Sequence, residues 1–146
     1  MKYGYAVVLV LFVARLGGVL PDLFDDSCRL SNLYSKIPPT EEPGVYMTIP
    51  TNCTEGQYDW DWPQGSVHLM ATLPVAHSLC IEARYEGIPM LGGIRDLTGG
   101  ANRSLELPTK DHPACTESAR GKTELLVQAW HSQLYWTTFY YKVVLA

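Results

Sequence analysis

Residues 53–80 are dominated by apolar and polar residues in alternation, the pattern of extended strands whose two faces differ. Tyr58, Trp60 and Trp62 occupy alternate positions, so a strand here would point all three side chains to one face. Residues 63–65 (Pro-Gln-Gly) follow at once, and we predict that the strand ends there because proline cannot donate to a strand ladder. We therefore expect a fold built on strands that turn an aromatic face inward.

Two more alternating strands are predicted over residues 66–73 and 78–85, with Pro74 closing the first of them. Their inward-facing residues are Val67, Leu69, Ala71 and Leu73 in one strand and Leu79, Ile81, Ala83 and Tyr85 in the other. Successive strands with a clean alternation favour an antiparallel sheet with one face on the core.

The rest of the chain is also predicted to form short strands separated by turns. The strands are expected at residues 45–49, 105–107, 123–130 and 134–145, with a polar loop at 109–121 and a hairpin at 131–133. No stretch shows helical periodicity, and no segment repeats. We therefore predict an all-β fold, an antiparallel β-sandwich.

The N-terminal residues have the composition of a secretory signal peptide. Lys2 precedes an uninterrupted apolar run at residues 6–13, and two glycines follow that run. The run is too short to span a bilayer, so we predict that residues 1–20 are removed. The mature protein is then a single secreted domain over residues 21–146, without membrane insertion.

The charge of the chain argues against two classes of partner. Without residues 1–20, 9 basic residues remain against 15 acidic ones, so the net charge changes from −4 to −6. An acidic chain with no basic patch argues against nucleic acid and anionic lipid as partners. We expect an extracellular or cell-surface protein instead.

Four cysteines and two N-glycosylation sequons also indicate a secreted protein. An even number of cysteines in a secreted chain indicates two disulfides, for which three pairings exist, and a zinc site is disfavoured because no CxxC pair occurs. The cysteines are Cys28, Cys53, Cys80 and Cys115, and the sequons place candidate N-glycans on Asn52 and Asn102. These features predict a secreted, extracellular glycoprotein.

No motif for catalysis or for a cofactor is present. Four scattered histidines (His68, His77, His112 and His131) lack metal-ligand spacing, and no nucleophile motif or phosphate loop occurs. Asp59 and Asp61 would share the face opposite the aromatic residues, either as calcium ligands or an acid–base pair, or simply as a solvated strand face. We therefore predict that the protein is not an enzyme and needs no cofactor.

The last strand carries aromatic residues on both faces. The side chains of Trp136 and Tyr140 are predicted on one face of this strand, and those of Phe139 and Tyr141 on the other. If one face contacts solvent, only the other belongs to the core. Exposed aromatic residues on a sheet are typical of protein-binding surfaces. Trp136 and Tyr140 are thus candidate partner-binding residues, unless a second layer or a loop covers them.

One series of residues resembles the N-terminal CUB-like domain of the meteorin family. It comprises Cys53, Gly56, residues 60–67 (Trp-Asp-Trp-Pro-Gln-Gly-Ser-Val) and residues 79–81 (Leu-Cys-Ile). The looser similarity covers about residues 28–143. It implies a CUB-like, jelly-roll type β-sandwich in which neighbouring cysteines pair, Cys28 with Cys53 and Cys80 with Cys115.

The resemblance also implies a function. Meteorin-family proteins are secreted signalling factors without enzymatic activity that act through cell-surface receptors, so we expect a meteorin-like ligand or receptor modulator. Members of that family continue into a netrin-like second domain, which has no counterpart in this sequence. The alternatives are therefore an antagonist, a structural glycoprotein of matrix, mucus or egg coat, and, as a third class, a small secreted hydrolase.

Overall fold

A computed structural model describes residues 27–32, 45–84, 91–130 and 136–146, and nearly all regular structure in these ranges is strand. The nine strands are β1 (Arg29–Ser31), β2 (Val45–Thr48), β3 (Glu55–Asp61), β4 (Ser66–Glu82), β5 (Leu91–Asp96), β6 (Arg103–Leu105), β7 (Ala114–Cys115), β8 (Ala119–Ala129) and β9 (Trp136–Leu145). A short 3-10 turn at Thr98–Gly100 follows β5. The all-β prediction is confirmed.

The strands form two layers that share β4. In the first layer the order is β6-β5-β8-β4-β2, where β4 contributes its N-terminal half. In the second layer the order is β1-β3-β9-β4-β7, where β4 contributes its C-terminal half. The sheet is therefore continuous through one long strand and is not closed into a barrel.

The strand β4 turns the corner between the layers. Its residues up to Leu73 pair with β8, His77 pairs with both β8 and β9, and the following residues pair with β9; the register is irregular between Leu73 and His77. Pro74 lies in that interval and is exposed, so no ladder bond is lost to its missing N–H. The expectation that Pro74 ends the strand is therefore wrong, because a 17-residue strand passes through it.

Strands that follow one another in the chain mostly belong to different layers. β3 pairs with β9 and not with β4, and β8 and β9 each pair with β4 and not with one another. The expected hairpin between the last two strands is therefore wrong, although residues 131–135 themselves lie outside the described ranges. Two short strands, β1 and β2, add parallel pairings to an otherwise antiparallel arrangement.

The two layers enclose one hydrophobic core. Residues in register on neighbouring strands of each layer are buried together in this core, such as Leu69 beside Leu125 and Tyr58 beside Phe139. The predicted inward residues of β4 are buried or half-buried, while Tyr85 lies outside the described residues. The Tyr58 ring stacks on Phe139 at 5.1 Å between ring centroids and meets Trp60 edge to face.

Trp62 does not share that inward face. The strand ends at Asp61, and Trp62 has a φ of 49°, the left-handed region that non-glycine residues rarely adopt. Because the backbone turns here, the Trp62 side chain does not continue the inward face of the strand. Trp62 is exposed, while Tyr58 and Trp60 are buried. The prediction of three aromatic residues on one face is correct for the first two and wrong for Trp62.

The disulfides join Cys28 to Cys53 and Cys80 to Cys115, the pairing implied by the resemblance. The first holds β1 beside the start of β3, and the second links β4 to β7. The predicted signal peptide at residues 1–20 lies outside the described residues. In the described part of the chain there is no helix of the length and apolarity needed to span a membrane.

Candidate functional site

The exposed aromatic side chains gather at one end of the sandwich, which we call the aromatic end. Tyr46, Trp62, Trp130 and Trp136 are between 50% and 66% exposed. A tryptophan or tyrosine usually buries most of its apolar surface, so four such residues together form an unusual patch. The aromatic end is therefore the candidate site.

Strand register shows that these residues share one end. Trp136 lies opposite Asp61 in the β3–β9 pair, so Trp62 is one residue beyond the same rim. In the other layer the Ala129 amide donates a 2.9 Å hydrogen bond to Gly65, and Trp130 follows directly. Residues 62–65 connect the two rims, and packed sheets lie about 10 Å apart.

Gly92 lies directly against the backbone of Ala129 and Trp130. A Cβ atom at Gly92 would collide with the carbonyl of Ala129 and approach the Trp130 Cα. The β5–β8 register shifts between Leu91 and Gly93, so β5 has a bulge at this glycine. The close approach of the two backbones supports the exposed position of Trp130 at the end of β8.

Trp136 and Tyr140, the two candidate partner-binding residues, lie on the outer face of β9, as the alternation predicts. Trp136 is 66% exposed, whereas Tyr140 is half-buried beneath the Arg84 guanidinium, 5.0 Å from the ring centroid. Arg84 is in turn held by Glu55 and Glu82 at 3.1 Å each. Trp136 thus belongs to the aromatic end, and Tyr140 belongs to a charged cluster behind it.

Asp59 and Asp61 also lie on this outer face, in register with Thr138 and Trp136. The Asp59 carboxylate accepts hydrogen bonds from Gln57 and Thr138 at 3.0 and 2.9 Å and is ion-paired with Arg29. Because these donors already surround Asp59, its observed role is to join β1, β3 and β9. In the described ranges no cluster of three metal-ligating side chains occurs.

His68 takes part in a cluster of interacting side chains that its isolated position in the sequence does not predict. The Tyr46 ring stacks on His68 at 4.2 Å, and His68 Nδ1 lies 2.8 Å from a Glu124 oxygen. Lys122 binds the other Glu124 oxygen at 2.8 Å. Burial alone raises the pKa of Glu124, but hydrogen bonds from Lys122 and His68 outweigh burial and lower that pKa. This cluster supports the Tyr46 ring from below.

The remaining histidines show no common site. His77 is fully buried, with Nε2 3.0 Å from Thr123 Oγ1 and Nδ1 2.9 Å from the Val75 carbonyl. His112 is exposed in the loop before β7, and His131 lies outside the described residues. The two sequon residues, Asn52 and Asn102, are both exposed, and Asn102 Oδ1 accepts a 2.6 Å bond from Arg95.

Sequence reasoning missed Trp62 and Tyr46 as surface residues. The strict alternation over residues 58–62 predicted that Trp62 still belongs to the strand, although the turn at residues 63–65 follows immediately. A residue directly before Pro63 is restricted in conformation, and this restriction was the available signal for a strand end. Tyr46 carried no such signal, because its exposure depends on the position of β2 at a sheet edge.

Comparison with known proteins gives a distant structural likeness. No protein-family model and no curated protein matches the sequence. Among solved structures, the chain is similar to PliG of Aeromonas hydrophila, a periplasmic lysozyme inhibitor of g-type lysozyme. The TM-score is 0.45 at 10% identity, and the match covers 81% of this chain and 97% of the other.

Proposed function

We propose that the protein is a secreted, non-catalytic binding module that contacts an extracellular or cell-surface protein through its aromatic end. The single observation that carries this proposal is the cluster of Trp62, Trp130 and Trp136, exposed on the rims of both layers. Tryptophan is the residue most enriched among those that dominate binding energy at protein interfaces. A single exposed tryptophan is common on protein surfaces, but three at one end form an apolar patch that a partner can bind.

The rest of the surface supports this choice of end. Exposed aliphatic side chains, Val75, Val144 and Leu145, lie at the opposite end beside the β4 corner, but among the described residues that end has no exposed aromatic side chain. The outer face of the second layer is occupied by ion pairs, such as Arg84 with Glu55 and Glu82. The aromatic end therefore combines large apolar area with rigid support from paired strands, the property that distinguishes a binding hot spot.

The compartment fits an extracellular role. Two disulfides are typical of proteins from oxidising, non-cytoplasmic compartments. The predicted signal peptide and the exposed Asn52 and Asn102 sequons agree with secretion as a glycoprotein. Together with the resemblance to the meteorin family, these features support a soluble ligand or modulator of a cell-surface receptor.

The test is binding of the secreted, tagged chain to intact cells, followed by crosslinking and mass spectrometry of the captured proteins. The decisive variant is Trp136→Ala, and its matched control is Leu145→Ala. Both side chains lie on β9 and are similarly exposed, at 66% and 63%, but they lie at opposite ends of that strand. We expect saturable binding that is lost in Trp136→Ala and kept in Leu145→Ala.

Two results would contradict the proposal. Binding that survives Trp136→Ala combined with Trp62→Ala would exclude the aromatic end as the contact surface. Absence of saturable binding across several cell types, with both disulfides intact, would exclude a soluble ligand. Self-assembly into insoluble material in that case would favour the alternative, a structural glycoprotein of matrix, mucus or egg coat.

A further inference from the structure

We propose that the partner presents a basic segment, rich in arginine or lysine, to the aromatic end. This inference rests on the proposed function and names the chemistry of the partner surface. The indole ring of Trp136 would receive a cation on its face, Asp61 would supply a carboxylate at the same rim, and the exposed surfaces of Trp62 and Trp130 would contact the rest of the segment. Three observations lead to this choice.

The first observation is the charge of the aromatic end. Among the described residues, no lysine or arginine occupies the last three strand positions at this end in β2, β3, β4, β5, β8 or β9, nor residues 62–65. The short strands β1 and β6 each contain one arginine, Arg29 and Arg103, and both are ion-paired with acidic side chains. The acidic residues there are Asp59 and Asp61. Arg29 lies nearby and forms an ion pair with Asp59, so these two charges offset each other and Asp61 supplies the net negative charge. The local charge therefore favours a basic partner.

The second observation is Asp61 itself. It is half-buried, lies in register with Trp136, and has no cation paired with its carboxylate among the residues that the structure describes. Its backbone N–H and C=O are both bound by the Asn32 side chain at 2.8 Å, which fixes the end of β3. A positioned carboxylate beside an exposed indole recognises a guanidinium by charge and by ring contact together.

The third observation is that the same strand already holds a cation on an aromatic ring. Arg84 lies over Tyr140, four residues from Trp136 on the same face of β9. There the guanidinium is held by Glu82 and Glu55, so aromatic ring and carboxylates act together. Trp136 with Asp61 repeats this combination of ring and carboxylate, and no arginine of the described part of the chain lies over the Trp136 ring.

Charge also distinguishes a basic peptide from other ligands of an aromatic surface. Without the predicted signal peptide the chain carries a net charge of −6, which attracts a cationic partner over distance and speeds its association at low salt. A glycan or a neutral lipid surface gains nothing from that charge. The combination of three indoles, a rim carboxylate and a negative chain therefore favours a basic protein segment.

The experiment measures binding of fluorescent hexa-arginine, hexa-lysine and hexa-citrulline peptides to the secreted full chain by polarisation. Citrulline keeps the shape of arginine but has no charge. We expect hexa-arginine to bind at least tenfold more tightly than hexa-citrulline, and each of Trp62→Leu, Trp130→Leu and Trp136→Leu to weaken it about threefold to tenfold. Leu145→Ala serves as the control variant. Each affinity is also measured at two salt concentrations, which shows how much of the binding is due to charge.

The variants keep the net charge, so they separate ring contacts from general attraction between opposite charges. Equal binding of the arginine and citrulline peptides, or arginine binding that no tryptophan variant weakens, would overturn the inference. So would tryptophan-dependent capture of a glycan on a glycan array without any peptide binding. If cells still capture a protein through Trp136 while no basic peptide binds, this inference fails and the proposed function stands. If both assays are negative, both fail.

Discussion

The Asp96 carboxylate lies opposite Arg103 across the β5–β6 pair and accepts a 3.0 Å hydrogen bond from its guanidinium. The backbone amides of Thr98 and Glu117 also donate to this carboxylate, at 2.9 and 2.8 Å. Asp96 is fully buried, so it is a charge that folding removes from water and then surrounds with donors. It ties β5, β6 and the segment after β7 together.

We expect Asp96→Ala to lower the free energy of unfolding by about 3 kcal/mol, because it leaves buried donors without an acceptor. Urea denaturation followed by tryptophan fluorescence measures this loss. The control is Asp111→Asn, an exposed acid in the loop before β7, which should change stability by less than about 0.5 kcal/mol. Equal effects of the two variants would contradict the assigned role.

The same carboxylate predicts a dependence of stability on pH. Burial by itself raises the pKa of Asp96, but the hydrogen bonds from Glu117, Thr98 and Arg103 outweigh burial, so its pKa lies below the ordinary 3.8. A group whose pKa is lowered on folding adds stability above its unfolded pKa and loses that stability as the pH falls through the folded pKa. The native protein should thus lose more stability than Asp96→Asn as the pH falls through and below 3.8, measured by urea denaturation across that range. Parallel pH curves would refute this.

Two buried tyrosines should respond oppositely to loss of their hydroxyl. Tyr58 Oη is buried with no hydrogen-bond partner among the described residues, and burial together with the nearby Asp61 charge raises its pKa. Tyr141 Oη donates a 2.6 Å bond to the Cys28 carbonyl. We expect Tyr58→Phe to be neutral or to stabilise by up to about 1 kcal/mol, and Tyr141→Phe to cost about 1–2 kcal/mol. Thermal unfolding of both variants gives the comparison, and a larger loss for Tyr58→Phe would contradict it.

Gly56 should tolerate no side chain. A Cβ atom there would collide with the Cys28 carbonyl, a backbone atom, and come within 2.5 Å of Tyr141 Oη. At Gly93 the nearest atom is the flexible end of Gln128 at 2.9 Å, which can move aside. We therefore expect Gly56→Ala to destabilise by about 2 kcal/mol or more and Gly93→Ala by less than about 1 kcal/mol. Denaturant midpoints of the two variants test the order.

The two disulfides should protect different parts of the fold. Replacing Cys28 and Cys53 by alanine opens a loop with a sequence separation of 25 and should cost about 3 kcal/mol. The loss should appear as faster amide exchange in β1, which pairs with β3, while the β4–β8 ladder stays protected. Hydrogen exchange with mass spectrometry measures this. Uniform acceleration across β8 would show that this bridge stabilises the whole sheet instead.

The strands were largely predictable because alternation is a local property. Leu69 and Leu79, or Phe139 and Tyr141, show their inward faces through period-two spacing alone, and all four are buried. The strand neighbours were not predictable in this way. Pairing of β3 with β9 joins residues that are about eighty positions apart, and no local pattern encodes such a choice.

The candidate site was only partly predictable for the same reason. The alternation of β9 places Trp136 on the outer face, and this prediction is confirmed. Trp62 and Trp130 join it only because strand ends from two layers meet, a consequence of the four-residue turn after β3 and of the β5 bulge at Gly92. Tyr140 carries the same sequence signal as Trp136, yet Arg84 covers its ring.

The corner in β4 also affects the order in which the chain can fold during synthesis. Its first half needs β2 and β8, and its second half needs β7 and β9, so the first layer is complete only after residues 119–129, and the second only after residues 136–145, have left the ribosome. Such distant pairings make folding slow. Until β9 is available, the apolar faces of the earlier strands of the nascent chain remain exposed. We therefore expect chaperones that bind exposed apolar strands to raise the folding yield of this topology, and early-formed cysteine pairs to shorten the time for which those strands are exposed.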